Sequence, residues 1–146
     1  MSISLPDVNV LVALREPTHT HYETAHLWFE RQSGQGWATC PLTVNGCVRI
    51  LSHPNYPNLE SVEDNIDKLR TLCSLPGHHF WSDEISLLDH KVFRPSHIAG
   101  HRQITDVYLL ALAVRHGGTL VTFDRSIPWR AVVGAGPGSV EILVPA

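Results

Sequence analysis

Short apolar segments alternate with helix-period segments from one end of this chain to the other, and that alternation leaves few folds open. Residues 2–6, 36–40, 78–81, 120–123 and 140–144 read as strands, because each is brief, mostly apolar and bounded by turn formers. Helices are expected between them, over 8–14, 18–32, 41–51, 61–75, 83–92 and 105–115. Strands that alternate with helices pair in parallel, since each crossover returns the chain to the same end of the sheet. The expectation is an α/β fold of three layers, with a mostly parallel central sheet and helices on both faces. A chain of 146 residues suits one domain. No repeat or long linker divides it, so residues 1–146 are taken as a single unit.

Local signals support these boundaries. Pro41 suits a first helical turn, where its missing N–H is not needed. Ser61 with Asp64 three residues on resembles a capping box. Ser82-Asp83 is expected to cap a helix carrying Ile85, Leu87, Leu88 and Val92. The stretch from Phe93 to Gln103 reads as a polar loop. Thr105 is expected to cap a helix in which Val107, Leu110, Ala111 and Val114 share a face, and His116-Gly117-Gly118 is its stop.

Three acidic residues sit where these elements meet. Asp7 follows the first strand, Asp106 opens the helix before the fourth, and Asp124 closes the fourth. In a parallel sheet all strand C-termini lie on one edge, and ligands bind there. Carboxylates gathered without a cation raise one another's pKa. Such a cluster suits a hard divalent cation and phosphodiester cleavage. Taken singly, each has a plainer role: Asp7 as an N-cap, Asp106 as a first-turn charge, Asp124 as a turn initiator. Their shared edge is what favours a site.

The same residues carry a family resemblance. The opening run from Leu5 to Leu14, the acidic helix from Thr105 to Ala113 and the strand end Leu120-Val-Thr-Phe-Asp124 resemble the motifs of PIN-domain ribonucleases. Length and spacing are similar to those of the VapC-type toxins of bacterial toxin–antitoxin pairs, and the segment from His19 to Phe29 is similar to that family's second helix. The resemblance covers essentially the whole chain and implies a PIN-like fold. One position departs from it. Family members carry a glutamate on the helix after the second strand, in a Leu-Thr-Glu-Asn context, whereas this chain has Leu42-Thr43-Val44-Asn45. Valine offers no oxygen to a cation. Either the acid was replaced deliberately, because an active toxin harms its host, or this copy diverged; the retained Thr43 and Asn45 favour the first.

What the resemblance implies is a Mg²⁺-dependent endoribonuclease toxin, inactive or weakened by Val44, with Asp7, Asp106 and Asp124 as metal ligands. Mn²⁺ is expected to substitute for Mg²⁺. Asn9 and Thr122 are candidates to hydrogen-bond a ligand. Arg94, Arg102, Arg125 and Arg130 are candidate RNA contacts, although each alone is as well explained as a solvated surface charge. The implied partners are RNA, a cognate VapB-type antitoxin lying over the acidic pocket, and a second copy in a homodimer.

Alternatives of other classes remain at this point. One is a catalytically silent PIN-like RNA-binding module, another a PIN-like domain acting on structured DNA. A third is a receiver-like signalling domain that accepts a phosphoryl group on an aspartate; its usual late-strand lysine is missing, since Lys68 and Lys91 both fall in expected helices. The formal charge of −3 gives a nucleic-acid partner no bulk support. Ten histidines make no HExxH motif, and His97 and His101 flank Gly100 in a loop, a poor zinc pattern. Cys40, Cys47 and Cys73 form no CxxC pair, which with the lack of a signal-like N-terminus suggests a reducing, cytoplasmic setting. No apolar run reaches the ~20 residues that span a bilayer.

Overall fold

The computed structural model describes residues 2–145. Five strands, β1 (Ser4–Pro6), β2 (Trp37–Thr39), β3 (His78–Phe80), β4 (Thr119–Thr122) and β5 (Val140–Ile142), form one sheet in the order β3-β2-β1-β4-β5. Every pairing is parallel. Five α-helices complete it: α1 (Val8–Arg15), α2 (Tyr22–Gln32), α3 (Pro41–Leu51), α4 (Val62–Cys73) and α5 (Ile104–Arg115).

Alternation along the strands sends successive side chains to opposite faces, and two cores result. Leu5, Ala38 and Leu120 pack with α5, Trp81, Phe93 and Ala131 on one face. Trp37 and Val121 pack with α1, Ala25 and Trp28 of α2, and Cys47, Leu51 and Leu69 on the other. The central strands β1 and β2 are buried throughout, whereas the edge strands β3 and β5 are not. A parallel sheet covered on both faces requires this pattern. Pro6 closes β1, where its missing N–H costs no ladder bond, and the Asp7 N–H resumes pairing with the Val121 carbonyl at 2.9 Å. Helix α5 is buried on nearly every side, from Val107 through Ala113, so it reads as apolar all round rather than as a stripe.

Strand order reverses at β1 and β4. Chain leaving β1 turns one way to β2 and β3, and chain leaving β4 turns the other way to β5. Asp7 follows β1 and Asp124 lies just past β4, so both stand at the crevice of the switch point, where open α/β sheets bind ligands. Gly46 lets α3 approach α1 closely, since an added Cβ would meet a Val8 methyl at 2.8 Å.

Several local expectations are corrected. No helix forms over 83–92. The Ser86 hydroxyl accepts the Leu88 N–H and Asp89 accepts the Lys91 N–H, local bonds that compete with helical ones. Leu88 is left 91% exposed. Thr105 does not cap α5, which starts at Ile104 after Gln103 with no side-chain cap, because Gln103 Oε1 accepts the Ala99 N–H instead. Helix α2 starts at Tyr22 rather than 18; the preceding residues form turns in which His19 Nδ1 accepts the His21 N–H. The loop from Phe93 to Gln103 holds two short 3-10 turns, Pro95–His97 and His101–Gln103.

Half of the expected capping box forms: the Ser61 hydroxyl oxygen accepts the Asp64 N–H at 3.0 Å, with no return bond to the Asp64 side chain among the described residues. Ser61→Ala should therefore destabilise the protein by about 1 kcal/mol in urea unfolding, with the slope unchanged. A midpoint that does not move would show the cap to be idle.

Candidate active site

Asp7 is built into the fold by its backbone. It caps α1 with extended φ and ψ, and its Oδ1 accepts the Val10 N–H at 2.9 Å. Only 3% of it is exposed. Burial pushes its carboxyl above the ordinary aspartate range; the Thr122 hydroxyl and the N–H groups of Val10 and Asn9 oppose that rise, and Asp124 adds to it. The plain capping role is thus observed, and it leaves the acid at the sheet edge.

Asp106 lies in the first turn of α5, half-buried. Its pKa is pushed up to about 7, by burial first, then by Asp7, then by Asp124. No cation acts on either Asp7 or Asp106 among the described residues. Asp124 is exposed, and its Oδ1 accepts the Ser126 N–H at 2.8 Å and the Ser126 hydroxyl at 2.7 Å. Its own N–H donates to the buried Thr122 hydroxyl at 3.0 Å. Thr122 therefore bonds the backbone of Asp124 and acts on the Asp7 carboxyl at the switch point.

These three carboxylates are brought within electrostatic reach of one another. They do not close into a metal-sized cluster, for among the described residues no three His, Cys, Asp or Glu groups converge that tightly. The two facts are compatible. Oδ1 of Asp7 is held by the α1 cap and Oδ1 of Asp124 by Ser126, so each acid is tied to its own turn. As donors the three still fit a hard divalent cation. They are oxygen ligands, Asp124 opposes the ionisation of Asp7 and of Asp106, Asp7 opposes that of Asp106, and no cation offsets either rise among the described residues. At the fourth place the fit fails, because Val44 turns to an apolar groove between α3 and α4 with Val48 and Ile66.

The remaining candidates are spread more widely. Asn9 is exposed, and its contribution to Asp7 comes from its backbone N–H rather than its amide. Arg94, Arg102, Arg125 and Arg130 are all exposed and form no ion pair among the described residues. They stand on the loops that enter α5 and leave β4.

Two contributors escape a reading of single residues. Ser126, which fixes the Asp124 carboxylate, is visible in hindsight from the Asp-Arg-Ser turn pattern. Trp129 lies under the Arg130 guanidinium, whose carbon is 4.5 Å from the ring centroid. An aromatic residue beside an arginine just past an acidic strand end was the available signal.

Comparison with known proteins agrees with this architecture. The PIN domain model matches residues 4–132. The chain is 48% identical over 132 residues to ribonuclease VapC44 of Mycobacterium tuberculosis strain H37Rv, covering 90% of this chain and 93% of that one. It is 40% identical over 141 residues to ribonuclease VapC39 of the same strain, covering 96% and 99%. With ribonuclease VapC38 the identity is 42% over 126 residues, covering 86% and 87%.

Proposed function

This chain belongs to the PIN-domain family, in its VapC-type toxin branch, and we propose that it is a divalent-metal-dependent endoribonuclease toxin whose activity is weakened by Val44. The observation that supports the reading is that Asp7, Asp106 and Asp124 stand within electrostatic reach of one another near the switch point, with no cation acting on Asp7 or Asp106 among the described residues. Asp7, Asp106 and Asp124 would hold Mg²⁺, or Mn²⁺ in its place. Such an ion, when bound, supplies positive charge against the phosphate oxygens and an acidified water.

The chain's own groups set the rest. Asp7 is oriented by the Val10 N–H, which its Oδ1 accepts, and the nearby Thr122 hydroxyl favours its ionised form. Asp106, its pKa pushed up to about 7, keeps its proton part of the time near neutral pH, and a bound cation would favour its ionised form. Asp124 is steadied by Ser126, and Asn9 stands exposed one turn-residue pair beyond Asp7, free to reach a ligand. Arg94, Arg102, Arg125 and Arg130 would meet RNA phosphates on the rim.

A cognate VapB-type antitoxin is the proposed partner, together with a second copy in a homodimer. The groove between α3 and α4, lined by Val44, Val48, Ile66 and Phe80, suits the apolar face of an antitoxin helix. An antitoxin arginine would pair readily with the three uncompensated carboxylates.

Total RNA incubated with the protein and Mg²⁺ is the direct test. Slow fragmentation is expected, ending on chelation and absent in Asp124→Asn. Cleavage that survives chelation would remove the metal from the reading. A silent RNA-binding module is the second reading, favoured by the apolar Val44 and the unclosed carboxylate cluster. The receiver-like alternative is set aside, since the sheet runs 3-2-1-4-5 rather than the flavodoxin-like 2-1-3-4-5.

A further inference from the structure

We propose that the loops following β3 and β4 form a base-stacking shelf, on which Trp129 takes a nucleobase of single-stranded RNA beside the carboxylates. The shelf rests on the ribonuclease reading and assigns where the strand lies next to that site.

The two loops are held together by backbone. Phe93 and Val132 form an antiparallel bridge. The Arg94 N–H donates to the Ala131 carbonyl at 2.7 Å, and the Val133 N–H donates to the Val92 carbonyl at 2.9 Å. The Arg94 guanidinium adds a bond to the Arg130 carbonyl at 3.1 Å. One loop runs on into α5 and Asp106; the other begins at Asp124. Both site acids are therefore tethered to this clamp. Trp129 is five positions beyond Asp124, a reach of at most ~18 Å.

A cleft of about 210 Å³ opens in the clamp, lined by His97, Ile127, Pro128, Trp129 and Arg130. It is smaller than the ~300–1,000 Å³ of small-molecule sites and suits one flat ring better than a whole ligand. Ile127 is buried and Trp129 packs against the α5 core, so the floor is anchored. Trp28, Trp37 and Trp81 are all buried, which leaves Trp129 as the partly exposed tryptophan. Arg130 lies against its ring. Of the five arginines between positions 94 and 130, Arg115 ends α5 and pairs with Glu84. The other four, Arg94, Arg102, Arg125 and Arg130, are exposed on the two loops that carry Asp106 and Asp124. An aromatic ring set among arginines is how proteins hold single strands, the ring stacking on bases and the guanidinium groups tracking phosphates. Stacking tolerates any base, so the shelf would position a strand without reading its sequence.

The burial of the other three tryptophans makes the test specific. The full chain, with EDTA present so that no cleavage occurs, is titrated with a single-stranded RNA hexamer while tryptophan emission is followed. Saturable quenching is expected. Trp129→Leu should abolish it and weaken binding, measured by anisotropy of a labelled hexamer, by roughly 10- to 100-fold. Trp129→Phe should keep most of the affinity. Arg94→Ala should lower the salt slope of binding by about 0.7. Unchanged affinity in Trp129→Leu overturns the shelf, as does a wild-type protein that shows no saturable quenching, which needs no variant to fold. Equal quenching by an acidic peptide also overturns it. RNA quenching in a protein whose Val44→Glu form never cleaves supports the shelf and removes the nuclease reading. Cleavage by Val44→Glu without quenching removes the shelf alone.

Discussion

Val44→Glu is expected to raise Mg²⁺-dependent RNA cleavage by at least about 100-fold, the scale on which a lost ligand acid removes several kcal/mol of charge stabilisation. Position 44 lies four residues past the Cys40 cap, at the end of the first turn of α3. That turn carries no acidic residue, so a glutamate there is favoured by the helix dipole. Its cost is small, because Val44 is only half-buried and lines a groove open to solvent. A carboxylate at position 44 that reaches the site would add a negative charge beside Asp7 and Asp106, whose ionisation is already opposed. Without metal the variant should melt lower than the parent at pH 8; with Mg²⁺ it should gain more, because a ligand that binds only the folded state stabilises it by mass action. Cleavage and the Mg²⁺-dependent melting shift are thus two readouts of one cause. A folded Val44→Glu protein that neither cuts faster nor responds more to Mg²⁺ would show that position 44 lies outside the site.

Much of this arrangement was legible in the chain because it rests on short-range rules. The alternation of strands and helices implied a mostly parallel sheet with two covered faces, which is parallel at every pairing, and the element junctions pointed to the three acids. Asp7 and Asp124 share an edge because parallel strands end on one side of the sheet, and Asp106 joins them because α5, which leads into β4, starts on that side. What was not legible depends on competition between local bonds. The segment 83–92 has the apolar spacing of a helix, yet Ser86 and Asp89 capture its backbone N–H groups and leave Leu88 in solvent. Thr105 has the right chemistry for a cap, but the 3-10 turn before it feeds directly into α5 and moves the start to Ile104. Trp129 was hidden for a different reason. Its setting depends on pairing between loops that are far apart in sequence, through Phe93 and Val132. Spacing within one segment carries no trace of such a contact.

Asp106→Asn should stabilise the metal-free protein at pH 8 while abolishing its cleavage. Burial, Asp7 and Asp124 push the Asp106 carboxyl up to about 7 in the folded chain, against an ordinary aspartate value of 3.8. Below pH 3.8 the acid is protonated whether the chain is folded or not, and the substitution changes nothing. Between 3.8 and about 7 the unfolded chain gives up its proton while the folded chain keeps it, so stability falls as pH rises. Above pH 7 the whole penalty is present. The gap sets a ceiling of about 4 kcal/mol. Asp106 is only half-buried, and solvent screening reduces the expected gain to ~1–2 kcal/mol at pH 8. Asparagine has nearly the shape of the protonated acid, so packing against α5 and its neighbours is kept. It cannot supply an anionic oxygen, so RNA fragments should fall to background and Mg²⁺ should no longer raise the melting temperature. Urea unfolding at pH 3.5 and pH 8 separates the causes: a gain confined to pH 8 is electrostatic, whereas an equal gain at both would assign it to packing. A loss of stability at pH 8 would mean that the three carboxylates do not oppose one another. It would remove the physical ground for placing a cation among them.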